Sequence, residues 1–193
     1  EAMVDFKVPR SIAPCEEPYR LHYFCDSSGK AFDATVYVQA IHDHTQVNLL
    51  CSKVKIIPLN MVGKISMPRS ELQGAKLAVS MKNMINEALP NPPEEEYFWT
   101  DSENVLAWIH KPPEDFKVFV SNRVKFIIEN SPPTQWSHVR GTDNPADLPS
   151  RGCTPQELLK GKTREKWLHG PAWLQLDKSA WPRYKESSQE PPD

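Results

Sequence analysis

The stretch that decides how this chain folds is EEYFWTDSENVLAWI, residues 95–109. Two carboxylates lead into Tyr97, Phe98 and Trp99, a run of large side chains of the kind that fills both faces of a central strand. The run stops at Thr100, Asp101 and Ser102, and apolar residues then recur at Val105, Leu106, Trp108 and Ile109. That spacing is helical. A strand therefore passes directly into a helix, and Asp101 stands at the junction, where it either caps the helix or takes part in a site.

Upstream, RLHYFCDSS (20–28), FDATVYVQAI (32–41) and TQVNLLCSKVKI (45–56) read as three β-rich runs, with turns at Gly29–Lys30 and Asp43–His44. Short connections make them an antiparallel meander. Residues 68–89, PRSELQGAKLAVSMKNMINEAL, switch to a helical period through Leu72, Ala75, Val79 and Ile85, entered at Pro68 and closed by the prolines from Pro90. Downstream, FKVFVSNRVKFIIENS (116–131) predicts a helix through Phe119, Val120, Val124 and Ile127, TQWSHVRG (134–141) a fifth strand, and 144–151 a closing turn or short helix. Right-handed crossovers set the fourth and fifth strands parallel to the first. The expectation is an α/β fold: a five-stranded mixed sheet, three antiparallel strands then two parallel, with helices on both faces.

On that topology Asp26 and Asp101 stand at corresponding ends of neighbouring parallel strands, each followed by serine. Glu71 falls in the first turn of the long helix, and Asp147 opens the last element. Singly, each has an ordinary explanation: Asp101 as a helix cap, Glu71 as a favourable charge near a helix N-terminus, Asp147 as a capping or solvated residue. Together they put four carboxylates where open α/β sheets bind ligands, and where like charges repel without a cation. An all-oxygen, partly hydrated site suits Mg²⁺, with Mn²⁺ as a substitute. Two such ions about 4 Å apart are an arrangement that hydrolyses phosphodiesters.

CDSSGKAFDATVYV, SELQGAKLA, TDSENVLAWI and NPADLPSRG together resemble the four blocks of the ribonuclease H family, in its order Asp, Glu, Asp, Asp. The upstream VPR, LLCSKVKIIPL, MPRSELQGAKLA, FVSNRV, the W-x-H-V of 136–139 and the trailing WLHGPAWL narrow the resemblance to the ribonuclease H region of BEL/Pao-type long-terminal-repeat retrotransposon polyproteins. It spans roughly residues 6 to 175, and seven blocks in register are far more specific than any one.

The resemblance implies a ribonuclease-H-like fold and an endonuclease that cuts the RNA strand of RNA·DNA hybrids during reverse transcription, leaving a 5′-phosphate and a 3′-hydroxyl. It implies two Mg²⁺ (or Mn²⁺) held by Asp26, Glu71, Asp101 and Asp147. Asp26 would bridge both ions, Glu71 and Asp101 would hold the ion at the leaving 3′ oxygen, and Asp147 the ion that activates water. Ser27, Arg69, Ser102, Asn104 and Asn144, which flank these blocks, are the candidate substrate contacts. The implied partners are the hybrid and the reverse transcriptase and integrase regions of the same polyprotein, with no membrane.

The chain departs from the family pattern in three places. HVRGTDNPAD lacks the glycine-rich histidine loop of cellular members, so His138 reads as structural. Asp147 follows Asn144 by three residues, not four, and CDSS carries an extra hydroxyl.

Bulk properties agree with a globular domain plus appendages: 193 residues, 25% charged and 39% hydrophobic, with a net charge of −2 that argues against a broadly basic nucleic-acid coat. The expected division is an extended approach over 1–20, the ribonuclease-H-like domain over 21–152, and a Trp-rich arm with a disordered tail over 153–193. Lys111, Lys117, Arg123 and Lys125 read as a solvated face, and His42 and His44 carry no metal role. Trp167, Trp173 and Trp181 read as packing the arm onto the domain or a neighbouring module. The 4 cysteines show no C-x-x-C pair and read as reduced thiols of an intracellular protein, in the cytoplasm, a retroelement particle or the nucleus. No signal peptide or ~20-residue apolar span is visible, and the opening at Glu1 reads as an excised fragment. An integrase-type core would carry its glutamate last, not second. The remaining rival is a ribonuclease-H-like scaffold that binds nucleic acid or protein without cutting.

Overall fold

The computed structural model describes residues 18–182; the expected approach segment up to 17 and the tail from 183 lie outside the described residues. Five strands, β1 (Tyr19–Ser27), β2 (Ala31–Ala40), β3 (Val47–Ile56), β4 (Glu95–Thr100) and β5 (Trp136–His138), form one sheet in the order β3-β2-β1-β4-β5. The first three are antiparallel, and β4 and β5 run parallel to β1. The expected mixed sheet is what forms. β1 begins at Tyr19, inside the stretch expected to be an approach segment. β5 is shorter than expected because Pro133 opens a 3-10 turn, Pro133–Gln135, immediately before it, and a proline offers no N–H to a ladder.

One face is covered by α1 (Met67–Ala88), with α2 (Glu103–Ile109) and α3 (Val118–Asn130) beside it. Leu72, Ala75 and Val79 of α1 meet Leu21, Tyr23, Cys25, Ala34 and Val36 in the main core. The approach is close at Gly74, where a Cβ would stand 2.8 Å from the Asp26 carbonyl oxygen. Only a residue without a side chain lets α1 sit there.

The other face is closed by α4 (Asp147–Arg151) and the C-terminal arm, which carries α5 (Pro155–Leu158), α6 (Gly161–His169) and the 3-10 turns Ala172–Gln175 and Lys178–Ala180. Leu174 and Trp181 join Phe24, Tyr37, Val47 and Trp99 in a second core, with Trp173 packed against it. Trp167 belongs to neither core. The Tyr37 hydroxyl donates to the Trp167 carbonyl at 2.9 Å.

A buried polar chain fastens this face. The Trp99 indole N–H donates to His22 Nδ1 (3.3 Å), His22 Nε2 meets Gln39 Oε1 (3.0 Å), and Gln39 Nε2 donates to the Leu174 carbonyl (2.7 Å). Because an indole N–H can only donate, His22 must be the neutral tautomer carrying its proton on Nε2. Burial accordingly holds its pKa down to about 3. β4 is thus enclosed on both sides, with Phe98 stacked between Tyr23 and Trp136 on one and Trp99 on the other. That double burial accounts for the continuous aromatic run of 97–99.

Candidate active site

Asp26 is the penultimate residue of β1, and Asp101 follows the last residue of β4. The parallel register pairs Cys25 with Thr100, so the two aspartates occupy the next rung. Ser102, not Asp101, caps α2: its side chain accepts from Val105 N–H at 3.2 Å. The same hydroxyl donates to Glu71 Oε2 at 2.6 Å. Capping therefore does not account for Asp101, and Ser102 ties the acid of α1 to the end of β4. Glu71 lies beyond the first turn of α1, which holds no acidic residue, so helix-terminus electrostatics does not account for it either.

Asp147 begins α4 and pairs with Arg151 one turn on. Its approach is fixed by Asn144, which is fully buried. The Asn144 Nδ2 donates to the Cys25 carbonyl (3.0 Å), and its Oδ1 accepts from Ala146 N–H (3.2 Å). Ser28 Oγ donates to the Ser150 carbonyl at 2.7 Å, and Ser150 Oγ donates to Asp26 Oδ2 at 2.5 Å. Gly141 lies against Asp101, since a Cβ there would be 3.1 Å from Asp101 Oδ2.

Three of the four acids are displaced upward in pKa. Burial pushes Asp26 to about 6, with Asp101 and Asp147 adding to the rise and the Ser150 hydrogen bond opposing it. Glu71 is raised by burial and then by Asp26, against the Ser102 hydrogen bond. Asp101 is raised by burial, then by Glu71 and Asp147. Each acid repels at least one of the others, so they share one region of low solvation. Among the described residues, however, no group of three or more His, Cys, Asp or Glu is disposed to hold a metal ion. The carboxylates are turned to internal donors, Ser150, Ser102 and Arg151. The donor set suits a hard divalent cation in its chemistry, all carboxylate oxygen and short of positive charge. A metal would have to draw those oxygens away from their present donors.

The structure also brings in an acid that the sequence reading passed over. Asp33 pairs across the hairpin with Asp26 and is fully buried. Thr35 Oγ1 donates to its Oδ2 at 3.0 Å, while Oδ1 has no hydrogen-bond partner among the described residues. Burial pushes its pKa to about 8, with the Asp26 charge adding to the rise. The turn at Gly29–Lys30 fixes this register, so the pairing was legible from the hairpin.

The five candidate substrate contacts divide. Ser27, Ser102 and Asn144 are buried and committed within the protein: Ser27 Oγ meets Ser70 Oγ and donates to the Ala31 carbonyl (3.3 Å), and the other two act as described. Ser102 and Asn144 position the acids, and Ser27 is held by its neighbours. Arg69 and Asn104 remain partly exposed at the rim, with the Arg69 guanidinium 5.5 Å from the Phe119 ring centre, which Arg123 also covers at 3.5 Å. His138 is half-buried at the end of β5 and makes no side-chain hydrogen bond among the described residues.

Residues 2–102 match the family model described as the Pao retrotransposon-like RNaseH-like domain. The chain belongs to that family. The matched span contains Asp26, Glu71 and Asp101 and stops short of Asp147. No curated protein matches the chain. Similar solved structures include the N-terminal RNase H domain of a Mycobacterium tuberculosis protein, at 12% identity over 65% of this chain and 85% of that one (TM-score 0.42). RNase H1 of Halobacterium salinarum NRC-1 is 9% identical over 67% and 90% (TM-score 0.43). LC11-RNase H1, solved in complex with an RNA/DNA hybrid, is 14% identical over 67% and 91% (TM-score 0.43). Among the described residues no helix is long and apolar enough to cross a membrane.

Proposed function

We propose that this Pao-family domain is a metal-dependent ribonuclease that cuts the RNA strand of RNA·DNA hybrids, leaving a 5′-phosphate and a 3′-hydroxyl, during reverse transcription of a retroelement. One observation carries the reading. Asp26, Glu71 and Asp101 come from three separate elements to one end of the sheet, and burial and mutual repulsion raise all three. A fold that keeps such acids together, with Arg151 committed to Asp147, favours a further cation from outside. Asp26, Glu71, Asp101 and Asp147 would hold Mg²⁺ or Mn²⁺. When bound, two such ions neutralise charge on the phosphodiester and make a water more acidic.

The chain's own residues prepare the site. Ser102 holds the Glu71 carboxylate while capping α2, and Ser150 holds that of Asp26. Asn144 keeps the Asp147 loop against the end of β1. Arg69 and Asn104, both partly exposed, would meet the strand. The partners in this reading are the hybrid and the adjoining polymerase and integrase regions, in the cytoplasm, the element's particle or the nucleus.

The test is cleavage of a labelled RNA·DNA hybrid in Mg²⁺ or Mn²⁺ by the wild type and by Asp101→Asn. Cleavage by the wild type alone, lost in EDTA and absent on duplex DNA, is expected. Equal cleavage by both proteins refutes the site. The internal engagement of Asp26, Glu71 and Asp147 favours one alternative, a scaffold that binds without cutting. Hybrid binding with no cleavage by either protein would establish that alternative.

A further inference from the structure

β3 ends the sheet on the side away from β5, so one of its edges has no strand beside it. At its far end the Ile57 N–H donates to the Lys30 carbonyl at 2.8 Å. The antiparallel ladder alternates from there, which turns the N–H and C=O groups of Ser52, Val54 and Ile56 outward. Near its start β3 is met by α6, where His169 Nδ1 donates to the Val47 carbonyl at 2.7 Å. Over 52–56, by contrast, every residue is exposed. Among the described residues, none of the outward backbone groups there has a partner.

The two faces of this free edge differ. Val54 and Ile56 lie on the side of Asp33 and Ala31, and Lys53 and Lys55 on the side of Ala34 and Phe32. Ile56 is 79% exposed, and the loop that follows adds Leu59, at 92%. Over 44–70 the chain carries Lys53, Lys55, Lys64 and Arg69 and no carboxylate. The three lysines make no side-chain hydrogen bond or ion pair among the described residues. Edge lysines by themselves are an ordinary guard against sheet-to-sheet pairing. A guard does not call for large apolar side chains in the open beside it, and these mark an interaction surface. Apolar exposure speaks for a protein over a phosphate backbone, and the lysines select the charge of that protein. A second copy is disfavoured: two-fold antiparallel pairing centred on Val54 sets Lys53 of one copy against Lys55 of the other.

We propose that residues 52–56 are a docking edge for an extended acidic segment of a protein partner. That segment adds to β3 as a further strand, with carboxylates toward Lys53 and Lys55 and apolar side chains toward Val54 and Ile56. None of the four acids takes part, so the docking edge stands or falls apart from the ribonuclease reading.

The test is nuclear magnetic resonance on the full chain in EDTA with a short blocked peptide of alternating glutamate and valine. The amide signals of Ser52, Val54 and Ile56 are expected to shift and to exchange with solvent more slowly. A lysine–valine peptide of equal length is expected to leave them unmoved. Lys53→Glu together with Lys55→Glu should weaken peptide binding about tenfold. Val54→Pro should abolish it; the N–H removed points away from β2, so the sheet keeps its bonds. If that protein does not fold, the double variant alone decides. Amides unmoved by the glutamate–valine peptide, or a double variant that binds it as tightly as the wild type, overturn the proposal. So does a response of these amides to an RNA·DNA hybrid in place of the peptide, which would make the edge a nucleic-acid surface. Sedimentation as a dimer that Val54→Pro dissolves, with no response to the peptide, would overturn it in favour of a contact between copies.

Discussion

Replacing Gly74 with alanine sets two effects against each other, and the structure decides the sign. An alanine in a helix interior is favoured over glycine by about 1 kcal/mol. At this position, however, the new Cβ would stand 2.8 Å from the Asp26 carbonyl oxygen and 3.5 Å from that of Asp33. An ordinary C···O approach is about 3.3–3.6 Å, so α1 must retreat by roughly 0.6 Å. The opposing atom is strand backbone in the middle of the sheet and cannot swing aside. Overpacking of this kind costs about 1–3 kcal/mol, and with rigid strand backbone as the opposing group the upper part of that range applies. The net expectation is a loss of about 1–2 kcal/mol. Urea unfolding reads it directly: with a slope near 2 kcal/mol/M, the midpoint falls by roughly 0.5–1 M while the slope holds. Gly29→Ala, which meets nothing within 4 Å, serves as the control. A Gly74→Ala midpoint equal to or above that of the wild type would mean that helix propensity governs and that the close approach of α1 is wrong.

Ser102→Ala removes both the α2 cap and the hydrogen bond to Glu71. It should cost about 1–2 kcal/mol by denaturation and raise the Glu71 pKa further, followed by carbon resonances of its carboxyl. Asp33 is pushed to about 8, against about 3.8 for an ordinary aspartate. The folded state therefore keeps a proton that the unfolded chain has lost, and stability declines as pH climbs from about 4 to 8. Asp33→Asn should flatten that decline and be the more stable protein at pH 8, measured by urea midpoints across the range. Trp181→Ala empties a buried position between His22 and Tyr97. It should cost about 3–5 kcal/mol, and a thermal midpoint within a degree or two of the wild type would contradict the role given to the arm.

What could be read from the sequence followed from strong local periodicity. The run Tyr97–Trp99 announced a central strand, and the α1 spacing from Leu72 to Ile85 announced a helix with one broad apolar face. Asp101 was read at the right junction, but the cap belonged to its neighbour, because either residue type can fill that position and only backbone geometry selects between them. Asp33 escaped notice because a polar residue in an alternating strand ordinarily faces water. Here α4 and the arm cover that side, and nothing in the arm's irregular turns signals it. Gly74 and Gly141 were equally silent, since the absence of a side chain matters only once a partner has been brought up against it.

The threads that hold the candidate site together join distant parts of the chain. Asn144 reaches a carbonyl 119 residues earlier, and Ser150 reaches Asp26 across 124. Such contacts form late in folding, after the loop they close has been fully synthesised and compacted. The end of β1 therefore waits, with its acid unsupported, until nearly the whole domain has left the ribosome. In a chain translated from its N-terminus, the site becomes complete only when the last pieces of the fold arrive, so a stalled or clipped product carries the first three acids without the frame that aligns them.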